Sequence, residues 1–232
     1  LFVHSEYQVR ELAAFAGVDR DHIHVVPHGL YSHGAVDAAP ATLREKWELP
    51  RDRRVALFFG QIRDEKNLDG LLRALTLTDR PLHLVVAGSG GGRHRDVDHY
   101  RRQASALGVA EQVRFIPRYI EDGEVGELFV AADWVALPYR SVFTSQSGVL
   151  NVAAHYERPV LVSAAPVLHE TVQDCDIGVA CSGDGPEALA GGIDTMHRRL
   201  DDGHEHVFED YRRRFSWQEN ARRTREVYES IL

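Results

Sequence analysis

The 232-residue chain is 44% hydrophobic and 27% charged, enough apolar material for one large core or two small ones and too much for a disordered segment. A net charge of −8 argues against a nucleic-acid surface, which needs clustered Lys and Arg to displace counterions; the arginines near the C-terminus alternate with Glu and Asp and read as solvated helix faces. Cys175 and Cys181 form no Cys-x-x-Cys, so a reducing compartment, the cytosol, is expected and a structural zinc is not. No apolar run approaches the ~18 residues of a spanning helix and no signal peptide opens the chain, which leaves a peripheral membrane role open.

In chain order, the first segment begins on Leu1 inside an apolar, strand-like run, LFVHS, as a piece of a longer protein would. A helix follows at Glu6 to Ala16, then a strand at Ile23 to Val26 ending in VVPHG. Beyond it, β-branched apolar runs predict strands at Val55 to Phe59, Leu82 to Ala87, Val113 to Ile116, Trp134 to Leu137, Val160 to Ser163 and Gly178 to Ala180. Amphipathic patterns predict helices near Ala41 to Trp47, Leu68 to Leu77, Arg95 to Leu107, Glu124 to Ala131, Gly148 to His155, Pro186 to Leu200 and Trp217 to Ser230. The alternation predicts an α/β fold, a Rossmann-like, doubly wound parallel sheet that binds ligands beyond the carboxyl ends of its strands.

Several motifs fall at those ends. After Phe59 comes GQIRDEKNLDGLL, a turn that places Arg63 and Lys66 just before a helix. Two cations there suit a departing diphosphate, whose charge grows as its bond breaks and which then needs no metal; surface pairing with Asp64 and Glu65 is the bland alternative. The helix at Gly148 opens on Ser145, Gln146 and Ser147, and its unpaired first-turn N–H groups suit a phosphate. An ordinary N-cap at Ser145 or Ser147 is compatible with that role. GSGGGRH after Ala87 lacks a full Gly-x-Gly-x-x-Gly and a Walker pattern, and reads first as a structural turn. Among thirteen histidines, His22/His24 and His204/His206 form pairs, neither with a third ligand at recognised spacing, so no metal site is expected. His28 reads as a satisfied or exposed histidine. No Gly-x-Ser-x-Gly is present.

Together WVALPYRSVFTSQSGVLNVAAHYERPVLVSA, the HSEY…VVPHG segment and the Lys66 turn resemble the glycosyl transferases group 1 family (family 4), specifically the C-terminal, nucleotide-sugar-binding half of its GT-B fold. The resemblance implies that residues 1–29 are a strand-helix-strand remnant of the acceptor-side domain with the hinge, and that residues 30–232 are the donor-binding domain. It implies a retaining transfer from a nucleotide-diphosphate sugar in polysaccharide or glycoconjugate biosynthesis, without metal or cofactor, the piece itself being inactive without its missing N-terminal acceptor domain. Arg63 and Lys66 would stabilise the leaving diphosphate. Gly60, Gln61, Gln146, Ser147, Gly148 and Val149 would line the donor site, with Gln61 standing where the family usually has Arg. Arg118 and Tyr119, in VRFIPRYI, would mark the loop that reads the base through main-chain groups. Glu170, in VLHETV, would face a sugar hydroxyl; a plain helix start fits that motif equally well.

The chain departs from the family at its usual paired glutamates, which fall on Thr144 and Val152. The second normally grips the ribose, and its loss costs about 1.5–3 kcal/mol, roughly 10- to 150-fold in affinity. Asn151 points about 100° away around the helix and is a poor substitute. A non-catalytic GT-B-like interaction or regulatory domain is therefore the alternative, and a GT-B-fold epimerase a weaker one. The truncated first segment, short of sheet neighbours, is also expected to favour self-association.

Overall fold

A computed structural model of the chain describes residues 1–231. The first segment is a small unit: β1 (Phe2–Val3), α1 (Glu6–Ala16) and β2 (His24–Val25), with the two strands pairing in parallel. Ser5 caps α1 by accepting from the Gln8 N–H, and Gly17 closes it in the left-handed conformation.

After α2 (Pro40–Lys46) the chain alternates strand and helix: β3 (Arg54–Phe59), α3 (Leu68–Ala74), β4 (Leu82–Ala87), α4 (Val97–Ala106), β5 (Val113–Ile116), α5 (Asp122–Ala131), β6 (Trp134–Leu137), α6 (Gly148–His155), β7 (Val160–Val162), α7 (Pro166–Cys175), β8 (Gly178–Ala180) and α8 (Pro186–Asp201). The strands form one parallel sheet in the order β5-β4-β3-β6-β7-β8. Chain direction across the sheet reverses between β3 and β6, which makes that junction the topological switch point.

Both faces are buried, and strand alternation assigns each side chain to a layer. Val55 and Leu57 of β3 join the core beneath α2, α5 and α6, while Ala56 and Phe58 join the core beneath α3, α4 and α8. Trp134 and Val135 of β6 divide the same way.

Two helices lie outside the spans that the amphipathic patterns predict, the first of them agreeing with the plain helix start at VLHETV. The VLHETV segment lies inside the ten-residue α7, opened by Pro166 at its first position. The seven-residue α9 (Phe208–Arg214) is too short and too charged to carry a clear period. Its Phe208 and Tyr211 are nevertheless buried.

The last helix, α10 (Trp217–Ile231), runs back over the first segment. Trp217 Nε1 donates to the Leu30 carbonyl at 2.8 Å, Asn220 Nδ2 to the Pro27 carbonyl at 2.7 Å, and Tyr228 packs edge-on against Phe2. Part of the surface expected to seek a second copy is thus covered within the chain, although Phe15 is 94% exposed. Cys175 and Cys181 are free and buried, and burial pushes the Cys181 thiol up to about 12. Among the described residues no helix is long and apolar enough to cross a membrane.

Candidate active site

At the switch point the loops leaving β3 and β6 face each other across a cleft of about 470 Å³. Of the residues expected at a donor site, Gly60, Gln61, Arg63, Lys66, Gln146, Ser147, Gly148 and Val149 all line it. They come from two loops some eighty residues apart, joined only because β3 and β6 are neighbours in the sheet.

The loop after β3 is held by its backbone. Gly60, at φ +91°, donates to the Ala87 carbonyl, and Gly88, at φ +140°, lies so close that a Cβ there would meet the Gly60 carbonyl oxygen at 2.1 Å. Only glycine fits Gly88, which makes the GSGGGRH turn a support for the β3 loop; it does not line the cleft. A short 3₁₀ turn, Asp64–Lys66, then aims Lys66 inward. Asn67 ends that turn in the left-handed conformation, is 1% exposed, and donates through Nδ2 to the carbonyls of Pro138 (2.9 Å) and Asp184 (2.8 Å). Arg140 fastens the same turn from the β6 side, its backbone N–H donating to the Glu65 carbonyl at 2.8 Å, while its Nη2 reaches both Asp69 carboxylate oxygens in the first turn of α3 (2.9 and 3.0 Å).

Lys66 Nζ donates to the Phe59 carbonyl at 3.3 Å and stands 5.5 Å from the centre of the Tyr139 ring. A methyl built on Gly60 would sit 3.3 Å from that ammonium and 3.8 Å from Val149 Cγ2, so Lys66 and the first turn of α6 converge there. Burial, then the neighbouring Arg63 charge, lower the Lys66 pKa from 10.5 to about 8. Arg63 is turned onto Gln61 Oε1, with Nε at 3.0 Å and Nη2 at 2.9 Å.

Ser147 occupies the N-cap position of α6, but its side chain makes no capping bond; Oγ lies 3.4 Å from the hydroxyl of buried Tyr139. The first-turn N–H groups therefore have no side-chain acceptor, and the helix dipole adds positive potential to that of Lys66. Gln146 Oε1 is buried and without a partner, an acceptor facing no donor. Among the described residues no carboxylate lines the cleft, whose remaining wall includes Phe59, Phe143 and Val152. This environment receives an anion and disfavours a cation.

Three of the expected residues lie elsewhere. Glu170 is on α7, paired to Arg10 of α1 at 2.7 Å, and borders an adjacent cavity of about 280 Å³ that shares Gln146 with the cleft. Arg118 is bound to Glu124 at 2.6 and 2.8 Å, and Tyr119 is 67% exposed; neither lines the cleft. Their position follows β5, an edge strand, two places from the switch point. Asn151 is engaged elsewhere too, donating to the Gly29 carbonyl (3.2 Å) and accepting from Tyr211 (2.6 Å), so it ties α6 to the segment after β2 and to α9. His28 is satisfied by Tyr31 and the Gly29 carbonyl. The sequence reading missed Asn67, Tyr139 and Arg140; the only available signal was their position next to Lys66 and after the β6 strand. It also found no third ligand for His204/His206, because Asp176, which the fold brings to them, is 28 residues away in the chain.

Residues 41–223 match the family Glycosyl transferases group 1. Curated relatives include D-inositol 3-phosphate glycosyltransferase of Xylanimonas cellulosilytica, 30% identical over 95% of this chain and 54% of its own length. Another is D-inositol 3-phosphate glycosyltransferase 2 of Catenulispora acidiphila, 27% identical over 98% and 55%. The chain thus spans about half the length of these relatives. Among solved structures, a glycosyltransferase from Rickettsia africae superposes with TM-score 0.83 at 18% identity, over 99% of this chain and 62% of that one. Anabaena HepE in complex with UDP-glucose gives 0.79 at 17% identity, over 98% and 63%. The C-terminal domain of a glycosyl transferase group 1 family protein from Francisella tularensis gives 0.61 at 17% identity, over 76% of this chain and 90% of that domain.

Proposed function

Since the chain belongs to the glycosyl transferases group 1 family and has the fold of the C-terminal GT-B domain, we propose that the switch-point cleft binds the diphosphate of a nucleotide sugar for transfer with retention at the anomeric carbon. The observation that carries this reading is Lys66, its ammonium held beside the uncapped first turn of α6 in a cleft that no carboxylate among the described residues lines. In the transfer, the bond between the anomeric carbon and the diphosphate oxygen breaks and a bond to an acceptor hydroxyl forms. The hydroxyl proton passes to the leaving phosphate, whose growing charge Lys66, Arg63 and the Gly148 and Val149 N–H groups stabilise. No metal is needed for that neutralisation.

Gln146, with its free carbonyl oxygen, is proposed to accept from the sugar. Glu170 would do so once released from Arg10. The main chain at Arg118 and Tyr119 would meet the base. Residues 1–29 are proposed as the acceptor-side remnant with the hinge, and residues 30–232 as the donor-binding domain. UDP-glucose bound by Anabaena HepE supports the ligand class.

One observation favours a second reading, a non-catalytic domain: the apolar Val152 lies in the wall where a carboxylate would grip the ribose. Calorimetric titration of the chain with UDP, GDP and ADP decides between them. Binding of one nucleotide, sharply weakened in Lys66→Ala, is the expected result; silence with all three favours the non-catalytic domain.

A further inference from the structure

At the opposite end of the sheet, Asp176 lies in the turn that closes α7 and leads into β8, and His204 and His206 lie in the connection from α8 to α9. One ligand atom from each falls within 4.8 Å of the other two, the only such group of three among the described residues. His204 Nε2 is 3.2 Å from Asp176 Oδ2, and the two imidazole centres are 4.7 Å apart.

Each ligand is already oriented by a neighbour. Arg199 holds the other carboxylate oxygen, Asp176 Oδ1, at 3.2 Å and anchors on the Gly178 carbonyl at 2.8 Å, so Oδ2 is left for the imidazoles. His206 Nδ1 lies 3.1 Å from the Asp176 carbonyl oxygen, to which it donates. The neutral tautomer so fixed carries a lone pair on Nε2, and that nitrogen is buried without a partner. An imidazole whose far N–H is tied to a carbonyl is the usual form of a metal-bound histidine. Two imidazoles and a carboxylate suit zinc and similar ions. Ligand atoms around a tetrahedral ion stand about 3.3 Å apart, so small side-chain rotations close the set.

We propose that Asp176, His204 and His206 bind a divalent transition-metal ion of the zinc class, which clips the α8–α9 connection to the turn before β8. The clip would act on structure: α9 carries Tyr211, whose hydroxyl holds Asn151 of α6 from behind the anion site.

The test is titration of chelator-stripped protein with Zn²⁺ against a chromogenic chelator and with Co²⁺ followed by visible absorption, together with thermal unfolding. One ion per chain, tetrahedral cobalt bands and a melting temperature raised by roughly 5–10 °C at about a hundredfold excess over Kd are expected. His206→Gln and Asp176→Asn should each weaken binding more than tenfold, and His22→Gln should leave it unchanged. Asparagine tolerates the left-handed conformation of Asp176, at φ 47°, so that variant keeps the turn. No stoichiometric binding, a pattern of weak multiple sites, or binding that survives both ligand variants would overturn the proposal and leave a simple His–Asp hydrogen bond.

Discussion

Lys66 joins two properties that rarely coincide in a lysine: its ammonium is largely buried, and among the described residues no carboxylate lines the cleft, Glu65 offsetting burial and the Arg63 charge only in part. Removing it should cost a charge-assisted contact of about 1.5–3 kcal/mol, so Lys66→Ala is expected to weaken nucleoside diphosphate binding roughly 10- to 150-fold, read by calorimetry. The pH dependence has a definite sign. The protonated form binds the anion, and in the free protein that form is lost as pH rises through about 8. Affinity should therefore fall about tenfold between pH 7 and pH 9, with proton uptake on binding near pH 8, measured by titration in buffers of different ionisation enthalpy. A flat profile would mean that Lys66 does not meet the phosphate. The stability linkage runs the other way: from about 8 to 10.5 the unfolded chain binds the proton that the folded chain has released, so this group makes stability rise with pH across that window.

Among the elements, the turn between β3 and α3 and the helix α6 are the parts that have to stay in place. Asn67, in a left-handed conformation, holds the first by two bonds from one amide, one buried and one partly buried. Asn67→Ala removes both bonds and leaves a residue that resists that conformation, for an expected loss of roughly 2–4 kcal/mol in chemical denaturation. Nucleotide affinity should fall as well, although the side chain touches no ligand, because Lys66 is its neighbour. For α6 the support is the Tyr211 hydroxyl on Asn151 Oδ1. Tyr211→Phe strands a buried acceptor and is expected to cost about 1–3 kcal/mol, seen as a lower denaturant midpoint with unchanged slope. A change below that range would mean that water replaces the phenol.

At the scale of the full chain, the switch-point cleft and the small strand-helix-strand unit are joined by Arg10–Glu170 and Gln8–Thr144 contacts. Because the chain spans about half the length of its curated relatives, we propose that tested alone it binds a nucleoside diphosphate but transfers no sugar, the acceptor side of the cleft being supplied by a second domain. The expected result is nucleotide affinity by calorimetry with no acceptor-dependent release of nucleoside diphosphate from UDP-glucose. Acceptor-dependent release by this chain would refute that division of labour.

The fold class was legible in the order of residues alone, because six short apolar runs alternating with amphipathic helices admit few solutions other than a doubly wound sheet, and all six runs are strands. That order also located both halves of the cleft, since each follows a strand and such loops lie at the carboxyl edge. The β3 and α6 ends of the site were legible as local motifs. Which of those motifs meet was set by the packing of the folded chain. Arg118 and Tyr119 follow an edge strand while Lys66 and Gly148 flank the switch point, a difference of strand order that no local pattern encodes. Glu170 was assigned toward a sugar, yet α7 turns it to Arg10, a partner 160 positions away. The Asp176, His204 and His206 group was invisible for the same reason: its members sit on separate elements, and their distance is set by how α7, β8 and α8 pack rather than by spacing along the chain.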